Sequence, residues 1–261
     1  MIRRFLVPLL AASALSLGLA GCGGPIIIAG DEGVPLSGLD MNGAAPTELA
    51  LASSDKVMVR TGDTLDIKVT GDPDAVAALR FNLEEGTLGI MRAQGSEAKG
   101  KATVNVTMPP LHTIVLAGSG DVSAPELVDK GEVNIAGSGT VSLAKIAARR
   151  ISVNVMGSGT MLGAGTADHL SLNVAGSGKL AARQLTVVSA DINIAGSGRG
   201  EFASDGEVKA NIAGSGEVTV YGRASCKVSA MGSGKLNCRE APASPMPPAP
   251  PAAPTPAPDA G

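Results

Sequence analysis

A Gly-Ser-Gly tripeptide recurs along the chain, and its residue types could bind a phosphate or present a nucleophilic serine. Backbone N–H groups in a glycine-rich turn can cradle an anion, and a serine becomes a nucleophile when a neighbouring base accepts its proton. No lysine follows at the spacing of a P-loop, and the two histidines, His112 and His169, do not recur with the tripeptide. The first glycines of the copies are Gly118, Gly137, Gly157, Gly176, Gly196, Gly214 and Gly232. So many copies favour a structural corner over a catalytic or phosphate site.

The spacing of the copies, 18 to 20 residues, predicts how the chain positions them. A fixed period near twenty residues is typical of a solenoid, and twenty extended residues run about 60 Å, enough for one coil of a β-helix. Glycine suits a corner because it reaches φ values that β-branched residues avoid. We therefore expect an all-β, right-handed parallel β-helix of about seven Gly-Ser-Gly rungs, in which the corners stack and the serines can form a hydrogen-bonded ladder.

Two apolar columns precede the corner and predict the core. The two columns are two residues apart, and side chains two residues apart in a strand point to the same face of the sheet. We therefore expect both columns to face inward. The column four residues before the glycine holds Ile114, Val133, Val153, Leu172, Ile192, Ala210 and Val228. The column two residues before it holds Leu116, Ile135, Val155, Val174, Ile194, Ile212 and Ala230. Beyond the corner, Phe202 is expected to fill the space left where Gly200 interrupts the inward pattern.

An asparagine column lies between these two apolar columns and is expected to face outward. It holds Asn134, Asn154, Asn173, Asn193 and Asn211. Stacked asparagines can pair their amides along the axis, as in cross-β ladders. They can instead offer a flat polar face to a partner such as a glycan, although the aromatic platforms that stack on sugar rings are absent. The ladder is favoured, and both interpretations stay open.

The N-terminal segment has the pattern of a bacterial lipoprotein signal peptide. Arg3 and Arg4 precede an apolar run of about fifteen residues, too short for an ordinary membrane span. Leu19-Ala20-Gly21-Cys22 then resembles a lipobox, which predicts cleavage before Cys22 and its lipidation. An ordinary signal peptide is the alternative. Gly23, rather than aspartate, follows the cysteine, which implies sorting to the outer membrane, on its periplasmic or its surface face.

Composition divides the chain into four segments. Residues 1–21 form the signal peptide, residues 22–46 a lipidated N-terminus and tether, and residues 47–240 the solenoid with its opening strands. Strands are expected within Val57–Val69 and Leu79–Met91, the latter around a turn at Glu85-Gly86. Residues 241–261 are rich in proline and are expected to be an extended, disordered tail.

The other two cysteines, Cys226 and Cys238, form an even pair in an exported chain. They flank the last corner symmetrically, so their sulfurs could meet across the last rung and protect its open end. A reactive redox pair is the alternative, but the spacing is wider than that of Cys-x-x-Cys. We therefore predict a structural disulfide.

Other classes of site find little support. A formal net charge of −3 and an aromatic content of 2% give no basis for nucleic-acid binding. The segment "GSGDV" at Gly118 resembles part of a calcium-binding nonapeptide repeat. Its aspartate, Asp121, is replaced in the later copies, so neither a metal nor a cofactor is expected. Some β-helices act on polysaccharides through paired carboxylates. Here the candidate carboxylates lie in turn-like settings of the opening strands, which makes such an enzyme a remote alternative; they are Asp72, Asp74, Glu84 and Glu85.

Taken together, the leader, the opening strands "DTLDIKVTGD" and "LEEGTLGIM" and the successive "GSG" corners resemble the putative auto-transporter adhesin family with the head GIN domain. The similarity covers roughly Ala50 to Cys238. The resemblance implies a parallel β-helix in an exported, envelope-associated protein, and it implies no catalytic residues.

The sequence thus predicts a non-enzymatic, lipid-anchored binding scaffold of the cell envelope, an adhesin. The partner, a protein or a glycan, and the oligomeric state are left open. The alternative is a structural envelope protein without an adhesive role.

Overall fold

A computed structural model describes residues 33–239 and shows an all-β parallel solenoid, which confirms the predicted fold class. The signal peptide, Cys22 and the proline-rich tail lie outside these residues. The elements in chain order are β1 (Glu48–Ala52), β2 (Lys56–Thr61), β3 (Asp66–Gly71), α1 (Pro73–Ala78), β4 (Leu79–Glu84), β5 (Thr87–Arg92), β6 (Ala102–Met108), β7 (Leu111–Gly118), β8 (Asp121–Gly137), β9 (Thr140–Gly157), β10 (Thr160–Gly176), β11 (Lys179–Gly196), β12 (Arg199–Gly214), β13 (Glu217–Tyr221), β14 (Ser225–Gly232) and β15 (Lys235–Arg239).

We call one full coil of the solenoid, from one Gly-Ser-Gly corner to the next, a rung. The strands β8 to β12 are long because each extends over almost a whole rung. Neighbouring rungs pair in parallel and keep equivalent residues in register, for example Asn154 with Asn134 and Asn173. The inward columns are buried as predicted in all rungs but the last, and Phe202 fills the interior beside Gly200. The core is therefore a stack of Val, Ile and Leu layers along one axis.

The Gly-Ser-Gly corners stack directly on one another. Gly176 has φ +119°, and a Cβ atom built on it would lie 2.5 Å from the carbonyl oxygen of Gly157 in the preceding corner. The backbone N–H of Ser177 donates to that same oxygen at 2.8 Å. The prediction of a ladder of serine hydroxyl groups is wrong, because within residues 33–239 the corner serines make no hydroxyl hydrogen bonds to one another. Backbone N–H and carbonyl groups join the stacked corners instead.

One further corner lies below the first Gly-Ser-Gly and contains no glycine. Leu51 of β1 pairs with Leu116 of β7, and Lys56 of β2 pairs with Asp121 of β8. Ser53-Ser54-Asp55 therefore takes the place of Gly-Ser-Gly in this lowest rung. A side chain fits at Asp55 because the layer beneath it, formed by β5 and β6 of the cap, has no Gly-Ser-Gly corner at this place. The Asp55 carboxylate instead accepts hydrogen bonds from Arg92 and Ala102 of that layer.

The N-terminal end is closed by a cap that includes the predicted hairpin. Strands β4 and β5 pair antiparallel, β5 adds to β1, and β6 adds to β2. The helix α1 was not predicted. It begins because the Asp72 side chain accepts the N–H groups of Asp74 and Ala75, and because Pro73 suits the first helical turn. No helix of the part described is long and apolar enough to cross a membrane.

The C-terminal end is open, and here the prediction of burial is wrong. Val228 is 52% exposed, and Ala230 is also exposed, although their columns are buried in every earlier rung. The cause is position: β14 and β15 pair with the preceding rung, and no described segment covers their other side. A disulfide joins Cys226 and Cys238, as predicted, and links the two strands of this last rung.

Candidate functional site: the asparagine groove

The asparagine column forms a continuous hydrogen-bonded ladder on the outer face. The Nδ2 atom of each asparagine donates to the Oδ1 atom of the asparagine one rung earlier, at 2.8–3.0 Å. At the N-terminal end, Asn134 Nδ2 donates to the Glu132 carboxylate at 2.9 Å. The five amides therefore point the same way along the axis, and the row of donors ends on a negative charge.

Local strand structure produces this ladder. Each asparagine lies between two buried apolar residues, so strand alternation directs its side chain outward. The parallel register then places successive asparagines directly above one another, about 4.8 Å apart. Cross-strand pairs of like amides stabilise a sheet when their dipoles align. The sequence analysis anticipated this arrangement as one of two interpretations.

A groove of about 790 Å³ runs beside the ladder. We call it the Asn–Ala groove, because its floor combines the asparagine column with the outward column immediately before each corner glycine. That second column holds Met156, Ala175, Ala195, Ala213 and Met231. Its three alanines leave open space, whereas Met156 and Met231 are 52% and 79% exposed. From Glu132 to Ser229 the groove covers six rungs, about 24 Å.

The groove is nearly free of charge. Glu132 is the one charged residue among those that line it. The adjacent outward column is also neutral in the middle, with Ser152 and Ser171, and becomes charged further along at Asp191 and Lys209. An occupant of the groove would therefore meet amides and methyl groups.

Ion pairs between rungs lie on the same side of the solenoid, beyond the groove. Lys227 Nζ donates to the Glu207 carboxylate at 2.8 Å, and this hydrogen bond, followed by that from Lys209, lowers the pKa of Glu207. Since both partners are exposed, the pair contributes little to stability. The positive charge of Lys227 on the last rung does disfavour edge-to-edge pairing at this exposed strand.

Of the other residues predicted from the sequence, the corner glycines line the bend of the solenoid and are absent from the groove lining. Between residues 33 and 239, no cluster of three or more His, Cys, Asp and Glu side chains could hold a metal ion. The candidate carboxylates do not form a catalytic pair in a cleft: Asp72 caps α1, and Glu85 lies in the β4–β5 turn.

The structure also brings together a serine, a histidine and an aspartate that the sequence analysis did not connect. His169 Nδ1 lies 3.0 Å from Ser189 Oγ, and His169 Nε2 lies 3.5 Å from Asp191 Oδ2. Ser189 Oγ also lies 3.3 Å from the carbonyl oxygen of Asp168, so the imidazole and this carbonyl compete for the serine proton. Neither Ser189 nor His169 lines the Asn–Ala groove, so this cluster is separate from the candidate binding surface. The sequence analysis missed this cluster because it did not assign the register of β10 and β11, which places His169 opposite Ser189.

A smaller concavity of about 410 Å³ lies on another face, around Val188, which is 64% exposed. Asp168 and Asp205 lie beside it. It spans fewer rungs and contains no repeated hydrogen-bonding column, so the Asn–Ala groove is the better candidate site.

Comparison with known proteins identifies the same family that the sequence resembles. The model of the family described as "Putative auto-transporter adhesin, head GIN domain" matches residues 45–224. The match begins before the predicted Ala50 and ends before β14, so the disulfide-linked last rung lies outside it. No curated protein matches the chain.

Solved structures of bacterial proteins share the fold. A putative lipid binding protein from Parabacteroides distasonis is 28% identical, with a TM-score of 0.59 over 75% of this chain and 93% of that chain. A putative adhesin from Bacteroides fragilis is 20% identical, with a TM-score of 0.65 over 75% of this chain and 92% of that chain. A second P. distasonis structure, a putative adhesin, is 20% identical, with a TM-score of 0.56 over 76% of this chain and 93% of that chain.

Proposed function

Because the chain belongs to the family of the putative auto-transporter adhesin, head GIN domain, we propose that it is a non-enzymatic binding scaffold of the bacterial envelope and that the Asn–Ala groove is its binding surface. The observation that carries this proposal is the groove itself. It is long, it presents an asparagine on five of its six rungs, and no described segment covers it. Its floor is a paired sheet whose strands, except the last strand β14, are hydrogen-bonded to a neighbour on both sides, so binding requires little ordering of the protein.

Lipid anchoring at Cys22 is part of the proposal. The support is the sequence Leu19-Ala20-Gly21-Cys22 at the end of the apolar leader. Several acyl chains on one cysteine would hold the protein firmly to a membrane, with outer-membrane sorting implied by Gly23. The chain joins the cap at Val34, which exchanges backbone hydrogen bonds with Phe81 of β4. The part of the predicted tether that would separate the solenoid from the bilayer is therefore the stretch before Val34, shorter than residues 22–46.

Replacing Cys22 by serine tests the anchor. We expect the wild-type protein in the membrane fraction of its native host and Cys22→Ser in the soluble periplasmic or secreted fraction. Cys226→Ala, which breaks the disulfide but keeps the lipobox, is the matched control and should stay with the membrane. Membrane association of both variants would refute the anchor.

The description "lipid binding" of the structure with 28% identity raises an acyl chain as an alternative occupant. The asparagine column weighs against it. An alkyl chain lying on the ladder would cover the free N–H and C=O capacity of each amide, at about 1–3 kcal/mol for each buried unpaired group. A fully buried methylene contributes only about 0.8 kcal/mol, and an open groove covers one side of it. The groove therefore favours an occupant that hydrogen-bonds.

A variant that fills the groove tests the binding role. Ala195 is exposed on the groove floor, so Ala195→Arg blocks the groove at its middle without disturbing the core. Gln184→Arg adds the same charge to an exposed position of the same strand, outside the groove lining. Purified full-length protein is immobilised, and its retention of intact bacterial cells and of extracellular matrix is measured. We expect Ala195→Arg to reduce retention at least fivefold and Gln184→Arg to leave it unchanged.

Two results would count against the proposal. Equal retention by wild-type protein and Ala195→Arg would remove the groove from the binding surface. No retention by the wild-type protein would instead favour the alternative of a structural envelope protein without an adhesive role.

A further inference from the structure

We propose that the Asn–Ala groove binds a neutral, linear glycan that lies along the solenoid axis with about one sugar unit per rung. This inference rests on the proposed function, since it takes the groove as the binding surface and adds the chemical class of the ligand. It is carried by three properties of the groove: its free hydrogen-bonding capacity, its lack of charge and its repeat distance.

The first property is the hydrogen-bonding capacity left on each asparagine. An amide has two N–H donors and an oxygen with two lone pairs. The ladder uses one donor of each asparagine, and one lone pair of each asparagine that accepts from the next rung. Asn154 and Asn173, in the middle of the groove, each therefore keep one donor and one acceptor for a ligand. Hydroxyl groups, which both donate and accept, match such a row.

The second property is the absence of positive charge. A polyanion, such as an acidic polysaccharide, needs lysine or arginine, and the lining contains neither. Glu132, at the N-terminal end, would repel a negative ligand there. The alanine and methionine side chains offer methyl and thioether contacts, which suit the C–H faces of sugar rings. A neutral glycan is therefore preferred over a charged one.

The third property is the repeat along the axis. Neighbouring amides lie about 4.8 Å apart, whereas an extended peptide presents groups on the same side about every 6.6 Å. A peptide along the axis would lose register with the asparagines after two rungs. A pyranose unit linked through opposite ring positions, as in a β-1,4 chain, advances the chain by close to one rung. Successive units turn over, but both edges of each unit carry hydroxyl groups, so each unit still presents a hydroxyl to an equivalent asparagine.

The experiment measures binding of defined oligosaccharides to the full-length protein by isothermal titration. The probes are β-1,4-, β-1,3- and α-1,6-linked glucose hexasaccharides and the trisaccharide of each series. The comparison ligands are a hexamer of galacturonic acid, a polyalanine hexapeptide and lauric acid. Because aromatic platforms are absent from the lining, we expect weak binding, with a Kd on the order of 0.1–1 mM, for the β-1,4 hexasaccharide. The β-1,3 and α-1,6 hexasaccharides, whose linkages do not join opposite ring positions, should bind more weakly.

Length and position give the decisive readouts. One sugar per rung predicts that the hexasaccharide binds at least tenfold more tightly than its trisaccharide. Ala195→Arg should weaken hexasaccharide binding at least tenfold, and Gln184→Arg should not change it. Binding equal in the trisaccharide, or unchanged in Ala195→Arg, would overturn the inference.

The outcome also separates this inference from the proposed function. If no neutral hexasaccharide binds while Ala195→Arg still abolishes retention of cells or matrix, the ligand class is wrong and the groove stays the binding surface. Preferential binding of lauric acid, the acidic hexamer or the peptide would likewise replace the glycan. If Ala195→Arg changes neither assay, both proposals fail.

Discussion

Gly176→Ala is expected to lower the free energy of unfolding by at least about 3 kcal/mol, because this corner leaves no room for a methyl group. The residue adopts φ +119°, and the added Cβ atom would lie 2.5 Å from the carbonyl oxygen of Gly157. That oxygen also accepts the N–H of Ser177. Relief of the clash would require separation of two rungs, which would break hydrogen bonds on both sides of the corner. Urea unfolding followed by far-UV circular dichroism measures the loss.

Ser177→Ala is the matched control, one residue away in the same corner. The Ser177 side chain is exposed, and its hydroxyl has no hydrogen-bond partner in the part of the chain described. We expect a change within about 0.5 kcal/mol. Equal loss in both variants would show that the corner is sensitive to any substitution, and the steric argument would then be wrong.

Gly232→Ala extends this test to a corner with only one neighbour. Its φ is +115°, and a Cβ atom would lie 2.6 Å from the carbonyl oxygen of Gly214. Since no rung follows it within the described residues, the last rung can fray without opening the stack. The variant should therefore fold and lose less stability than Gly176→Ala. This comparison remains informative even if Gly176→Ala fails to fold.

The corners and core were predictable because a solenoid repeats its sequence wherever it repeats its structure. Val153 and Val155 occupy equivalent places in one rung after another, so one alignment on the glycine assigns a whole column. The asparagine ladder followed from the same alignment. The groove did not, because its concavity depends on how far Met156 and Ala175 project from the surface, which spacing does not express.

The ends of the solenoid were less predictable, because they interrupt the repeat. Val228 fits the inward column, yet it is exposed, since no rung covers it in the part of the chain that the structure describes. At the other end, Ser53-Ser54-Asp55 was not identified as a corner. Its residue types differ from Gly-Ser-Gly, and the cap strands separate it from Gly118 in sequence. Only the pairing of β1 with β7 reveals it.

Asp55→Ala is expected to destabilise the protein by about 3–5 kcal/mol, the range for removal of one partner from a buried ion pair. The Asp55 side chain is fully buried and accepts from Arg92 Nε at 2.8 Å and Nη2 at 2.6 Å. It also accepts the backbone N–H of Ala102 at 2.8 Å. Arg92 ends β5 and Ala102 begins β6, so one carboxylate joins the lowest corner to both parts of the cap.

Urea unfolding and amide hydrogen exchange of β5 and β6 measure this effect. Asp129→Ala is the control, since Asp129 forms an ion pair with Arg149 at 2.7 Å but both side chains are exposed. Its removal should leave the unfolding midpoint essentially unchanged. A midpoint for Asp55→Ala equal to that of the wild-type protein would show that the cap does not depend on this carboxylate.

The charge of Asp55 makes the same interaction dependent on pH. Burial alone would raise the pKa of the Asp55 carboxyl, but the hydrogen bonds from Arg92 and Ala102 outweigh burial and lower it. A lowered pKa adds stability above the unfolded-chain value of about 3.9, and this contribution disappears as pH falls through the folded value. Asp55→Asn cannot ionise, so its deficit in unfolding free energy should be constant above about pH 5 and should shrink below about pH 4. A deficit independent of pH would mean that the carboxylate acts through its shape and hydrogen bonds, without a contribution from its charge.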